Sequence, residues 1–134
     1  LVKPGTYIWI FDIDPDLSVC EPVEEAFNTF NDLVRKFCNT HFTEIRTASM
    51  LPPILESIGF EIRAIVAEPF NNQIMGTAVL AGYLYREALL YHHFLEGTHV
   101  SGTLQKLEQF FFKEMDRDTH FVQYGMAMIA AEKV

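Results

Sequence analysis

Positive charge is scarce in this chain. Ten Lys and Arg stand against eighteen Asp and Glu, for a formal net charge of −8. No basic run is dense enough to follow a phosphate backbone, so no nucleic-acid partner is expected. An anionic membrane surface is disfavoured on the same ground. Cysteine is scarcer still: Cys20 and Cys38 are the only two. They lack the C-x-x-C spacing of a zinc site and follow no secretory leader, so both are expected as reduced, buried thiols in a cytoplasmic protein. A long uncharged apolar run is also missing. The most apolar stretch, Ile74 to Leu95, is interrupted by Arg86, Glu87, His92 and His93, which makes it a buried helix rather than a bilayer span. Adjacent histidines on a helix point about 100° apart and cannot share one ion as an i, i+4 pair would. With no carboxylate or thiol spaced to complete a site, no metal is expected. Repeats and low-complexity tracts are absent too, leaving 134 residues to be read as one unit.

What is present is apolar and aromatic. Hydrophobic residues make up 49% of the chain and aromatics 13%, which suits a folded globular chain and argues against disorder. The opening Lys3-Pro4-Gly5 turn feeds Tyr7 to Ile13, a run that stops at Asp12, Asp14 and Pro15 as a buried strand does at a functional edge. Such a strand needs neighbours on both sides, and some of them are expected upstream of the first residue.

Further along, Pro22 with Glu21, Glu24 and Glu25 reads as a helix start. Ala26, Phe27, Phe30, Leu33, Val34 and Phe37 continue it to about Cys38. After an irregular stretch, Ser49 is expected to cap a short helix that tolerates two prolines in its first turn and ends at Gly59. Phe60 to Ala67 alternates as a second strand. About fifty helical residues follow: Ile74 to Leu95 as one helix closed by Gly97, then a second helix capped by Ser101. Thr119 to Ala131 reads as the third strand, apolar on both faces.

Asp12 and Asp14 fall at the carboxyl end of the first strand, where open α/β sheets place their ligand crevice. They are candidates for contact with a cationic or hydroxyl-bearing group; turn formation and helix capping are the alternative. Phe110 to Phe112 and the Tyr83, Tyr85, Tyr91 set could wall an apolar cavity, or simply fill the core.

The order of these parts resembles a known family. Lys3-Pro4-Gly5 before Tyr7-Ile8-Trp9-Ile10-Phe11-Asp12 is similar to the "L-K-P-G-G" turn and fifth strand of class I S-adenosylmethionine-dependent methyltransferases. Leu51 to Ile62 resembles their "L-x-x-L-L-x-x-A-G-F" helix and sixth strand. Tyr124 to Lys133 resembles their last strand with its "A-x-K" tail. The helical insert, about residues 70–117, is similar to that of a small-molecule branch.

The resemblance covers the C-terminal half of the family's domain. It implies the C-terminal part of a Rossmann-like sheet, three strands with the last antiparallel and central, as a single partial domain. It also implies an acceptor-binding half that takes a small organic acceptor. S-adenosylmethionine would serve the full-length enzyme, with none expected to bind this piece, because the glycine-rich loop and ribose-binding acid lie upstream in the family. The stretch before the second helix then helps build the acceptor pocket. Asp12, Asp14, Phe42 and Arg46 become substrate-binding candidates, with the Arg46 guanidinium able to fork onto a carboxylate or phosphate. His41 becomes a candidate general base. The outer edge of the first strand is expected to dock on the missing half or to pair with itself. A non-catalytic dimerisation or ligand-binding module derived from the same fold is the alternative. A helical unit that meets a partner protein through residues 74–115 is a third.

Overall fold

The computed structural model describes residues 2–41, 46–96 and 101–134. Its order is strand β1 (Tyr7–Ile13), a 3-10 turn (Pro15–Leu17), β2 (Val19–Glu21), helix α1 (Glu25–His41), α2 (Thr47–Ser57) and β3 (Phe60–Ala67). Then come α3 (Asn72–Met75), α4 (Thr77–Glu96), α5 (Gly102–Gln109), β4 (Phe121–Gln123) and β5 (Met126–Lys133). The class is α/β, with all strand pairs antiparallel.

The main sheet has the order β1-β5-β3. β5 lies between the other two and runs antiparallel to both, with Trp9 opposite Ala130 and Ile65 opposite Ile129. Tyr7, Glu132 and Arg63, one from each strand, tie one face together. Tyr7 donates to Glu132 Oε2 at 2.9 Å, and Arg63 Nε donates to the same oxygen at 2.9 Å. The opposite face is apolar. Ile8, Ile10 and Ile62 pack with Phe60, Ile129 and Ala131 under Leu51 and Leu55 of α2.

The helical layer forms the larger core. Phe27, Phe30 and Val34 of α1 meet Leu80, Leu84 and Ala88 of α4, Leu104 and Leu107 of α5, and Phe110, Phe111, Val122 and Tyr124 beyond it. The i, i+3, i+4 and i+7 spacing of these apolar residues is why each helix shows this face inward. Ser101 caps α5 as expected, accepting from the Leu104 N–H at 3.3 Å.

Several boundaries differ from the sequence reading, each for a local reason. α1 starts at Glu25 rather than Pro22 and runs on to His41. α2 has Arg46, not Ser49, at its cap position. Ser49 sits inside the helix and donates to the Arg46 carbonyl, and Pro52 and Pro53 lie beyond the first turn. The expected single helix from Ile74 is broken at Gly76, whose φ of 86° favours glycine. After α5 the chain widens into a π-helical turn over Phe110–Glu114. Gly97, expected to close α4, lies outside the described residues.

The expected third strand is two. It breaks at Tyr124-Gly125, and β4 pairs with β2 in a separate ribbon, Cys20 opposite Val122. Gly125 makes the break possible: its N–H donates to Ser18 Oγ at 2.8 Å and its carbonyl accepts from the Asp14 N–H at 2.8 Å. A Cβ there would run into the Asp14 carbonyl oxygen.

Candidate functional site

The carboxyl end of β1 is where the sequence placed its candidates. Asp14 is 2% exposed, and both its carboxylate oxygens accept from backbone N–H groups. Oδ1 takes Asp16 at 3.1 Å and so caps the 3-10 turn; Oδ2 takes Ala48 at 2.9 Å and so steadies the first turn of α2. Buried Thr47 completes the joint by donating to the Ile13 carbonyl at 3.1 Å. The capping alternative therefore describes what Asp14 does here. Asp12 turns back to accept from the Ile13 N–H at 2.7 Å.

Arg46 sits beside this joint, its Nε 3.6 Å from Asp16 Oδ2, while Arg35 Nη1 lies 2.7 Å from Asp16 Oδ1. Two guanidinium groups thus converge on one half-exposed carboxylate, an exposed arrangement that contributes little to stability. The His41 side chain and the whole of Phe42 lie outside the described residues.

A second set of polar groups lies deeper. Tyr91 donates to Glu87 Oε2, and the Tyr91 and Tyr124 hydroxyls are 3.2 Å apart. Tyr124 is fully buried and Tyr91 nearly so. Four rings enclose the pair: Phe37 on Tyr91 at 4.5 Å, then Phe30, Phe70 and Tyr83 on Tyr124 at 5.8, 6.1 and 5.9 Å. Burial pushes the Tyr91 phenol far above its ordinary range, and the neighbouring Tyr124 and Glu87 add to it. Burial does the same for Tyr124. Both phenols are held neutral, as donors rather than bases.

Cys38, near the end of α1, is buried in the helical core. Burial raises its thiol, and the Asp12 charge raises it further; Tyr124 in turn feels Cys38. Cys20 is pushed up to about 11 by burial. Neither thiol is an activated nucleophile.

Of the residues proposed from sequence, Asp12, Asp14 and Arg46 are brought to one end of β1. Tyr91 and Tyr83 reach the buried polar set, whereas Tyr85 packs on Phe112 at 5.4 Å. Phe110 and Phe111 are core, 1% exposed. His92 is buried on α4, its Nε2 3.4 Å from Glu96 Oε2. Sequence reasoning missed Glu87 and Tyr124. The four-residue spacing of Tyr83, Glu87 and Tyr91, one face of a helix, was the signal available. Among the described residues, no group of three His, Cys, Asp or Glu could hold a metal ion. No described helix is long and apolar enough to cross a membrane.

No protein-family model matches the chain, and neither does any curated protein or solved structure.

Proposed function

We propose that this chain is the acceptor-side half of a class I S-adenosylmethionine-dependent methyltransferase acting on a small organic molecule. One observation carries the reading: β5 lies between β1 and β3 and antiparallel to both, the arrangement that the sequence resemblance implies. The placement of α3, α4 and α5 between β3 and the last strands adds support. The charge of −8 and the aromatic helical layer favour a small acceptor over a nucleic acid.

The described residues do not fit the cofactor. Among them the glycines at positive φ are Gly5, Gly59 and Gly76. Gly5 belongs to a turn, Gly59 follows the end of α2 and Gly76 separates α3 from α4. None leads from a strand into a helix as a cofactor loop would. What this chain would contribute is positioning: holding an acceptor against the carboxyl end of the sheet and excluding water, which carries much of the acceleration in a group transfer.

Two measurements test this. Labelled methyl transfer from S-adenosylmethionine to a panel of small phenols, amines and acids, by the gene product at its natural length, is expected to proceed. Calorimetry of residues 1–134 with S-adenosylhomocysteine is expected to show no appreciable binding. Micromolar binding by this chain would overturn the placement of the cofactor contacts outside it. A natural-length protein that transfers no methyl group would end the enzymatic reading.

The second reading is a non-catalytic association module, and the bare face of the sheet favours it. Tyr7, Trp9 and Phe11 are 53%, 60% and 58% exposed. The outer edge of β1 has no strand beside it among the described residues. Exposed edges and apolar faces of this kind promote association. Sedimentation of the purified chain separates the readings: a tight dimer favours the module, a monomer weakens it.

A further inference from the structure

The buried polar chain reaches the surface. Glu87 is its outer member, and Glu87 also lines a groove of about 500 Å³ along α4, with Tyr83, Arg86, Leu89, Leu90 and His93. Tyr91 and Tyr124, 3% and 0% exposed, stand behind it in the core. A phenylalanine at either place would fill nearly the same space without a hydroxyl to satisfy. What the hydroxyls add is direction: Tyr91 holds Glu87 Oε2, and Tyr124 lies in hydrogen-bond range of Tyr91. A carboxylate fixed in this way retains acceptor capacity on its other oxygen, and Glu87 is among the residues that line the groove.

We propose that the α4 groove is a binding site for a small aromatic monoamine, its ammonium paired with Glu87 and its ring laid against Tyr83, Leu89 and Leu90. Three features set that class. Leu89 and Leu90, 42% and 46% exposed, line the groove together with Tyr83, an apolar wall suited to a flat body. The held carboxylate and a net charge of −8 select a cation over an anion. Arg86 lines the same groove, so a ligand with one positive end fits where a diamine would meet like charge. The site stands independently of methyl transfer, since its binding requires no cofactor.

Titration with tyramine and with p-cresol, followed in nitrogen–proton correlation spectra of the protein, tests the proposal. Tyramine is expected to shift the amides from Tyr83 to Leu90 and to bind about tenfold more tightly than p-cresol, the gain of one partly desolvated ion pair. Glu87→Gln, which can still accept from Tyr91, is expected to abolish that preference while the spectrum stays dispersed. Tyr124→Phe does not line the groove and is expected to narrow the preference severalfold, a change that mere loss of stability would not produce. Equal binding of the two probes, shifts confined to other residues, no shifts at all, or an unchanged preference in Glu87→Gln would each overturn the assignment. Failure of methyl transfer would leave it standing.

Discussion

The helical cluster and the three-stranded sheet bury their surfaces on different terms. The cluster is enclosed: Phe27, Phe30, Leu84, Leu107, Phe110, Phe111 and Tyr124 are all at most 1% exposed, and their rings meet at 5.5 to 6.1 Å. The sheet is covered on one face only. Its buried Phe60, Ile129 and Ala131 lie under Leu55 of α2, while Tyr7, Trp9 and Phe11 stand bare on the other side. Burial of apolar area is the main stabilising term. The difference therefore locates most of the buried core in the helices and leaves one face of the sheet open to association.

The sharpest way to break that contrast is to hollow each core in turn. Phe30 packs edge-on against Phe111 at 5.5 Å and touches Phe27 and Tyr124. Phe30→Ala is expected to cost about 3–5 kcal/mol in urea unfolding, transfer and cavity terms together. Leu55→Ala, in the smaller core, should sit near the low end for leucine, about 2 kcal/mol. If Leu55→Ala costs as much as Phe30→Ala, the two regions share one stabilising core and the comparison fails.

Proton titration should stress the helical cluster at high pH and the sheet at both ends of the scale, since the hydrogen bond to Glu132 also raises Tyr7. Burial raises Cys20 from an ordinary 9.0 to about 11, and raises Cys38, Tyr83, Tyr91 and Tyr124 as well. A group whose folded pKa is raised stabilises fully below its unfolded pKa, and that contribution is lost as pH climbs toward the folded value. The helical cluster should therefore loosen from about pH 9 upward. In the sheet, a hydrogen bond from Arg63 and another from Tyr7 lower Glu132. Its contribution is present above about pH 4.3 and lost as pH falls through the lowered value. Trp9 is the only tryptophan and reports on the sheet; with Tyr7, the sheet's own phenol, replaced by Phe, tyrosinate absorbance reports on the cluster. Simultaneous change of both signals at high pH would show that the two regions unfold together.

The sequence announced the parts that depend on local pattern and concealed those that depend on distant partners. Tyr7 to Ile13 and Phe60 to Ala67 alternate or run apolar between turn residues, and both are strands of those bounds, but the first, expected to be buried, leaves Tyr7, Trp9 and Phe11 exposed on one face. Ser101 and Gly59 act at the helix ends as their chemistry suggests. The β2–β4 ribbon was not legible, because Cys20 and its partner Val122 lie far apart in the chain and each strand has three residues. The break at Gly125 was hidden inside a continuous apolar run. It requires the close approach of Asp14 and Ser18, which no local pattern records. At the candidate site, the cap formed by Asp14 on Ala48 and the pairing of Tyr91 with Tyr124 are likewise long-range, so the carboxylate was readable as important but its partners were not.

The smallest expected effect is on stability, and it comes from the largest exposed side chain. Trp9 is 60% exposed beside Ala130 on the uncovered face, flanked by Tyr7 and Phe11. Removing it leaves no cavity, so Trp9→Ser should change the unfolding free energy by no more than about 0.5 kcal/mol. The same substitution removes the widest apolar group from the uncovered face of the sheet. Sedimentation at rising concentration should then show weaker association than the unaltered chain. A loss of stability comparable to that of Phe30→Ala would mean that this face is packed in the monomer. The division between an enclosed helical core and an open sheet would then be abandoned.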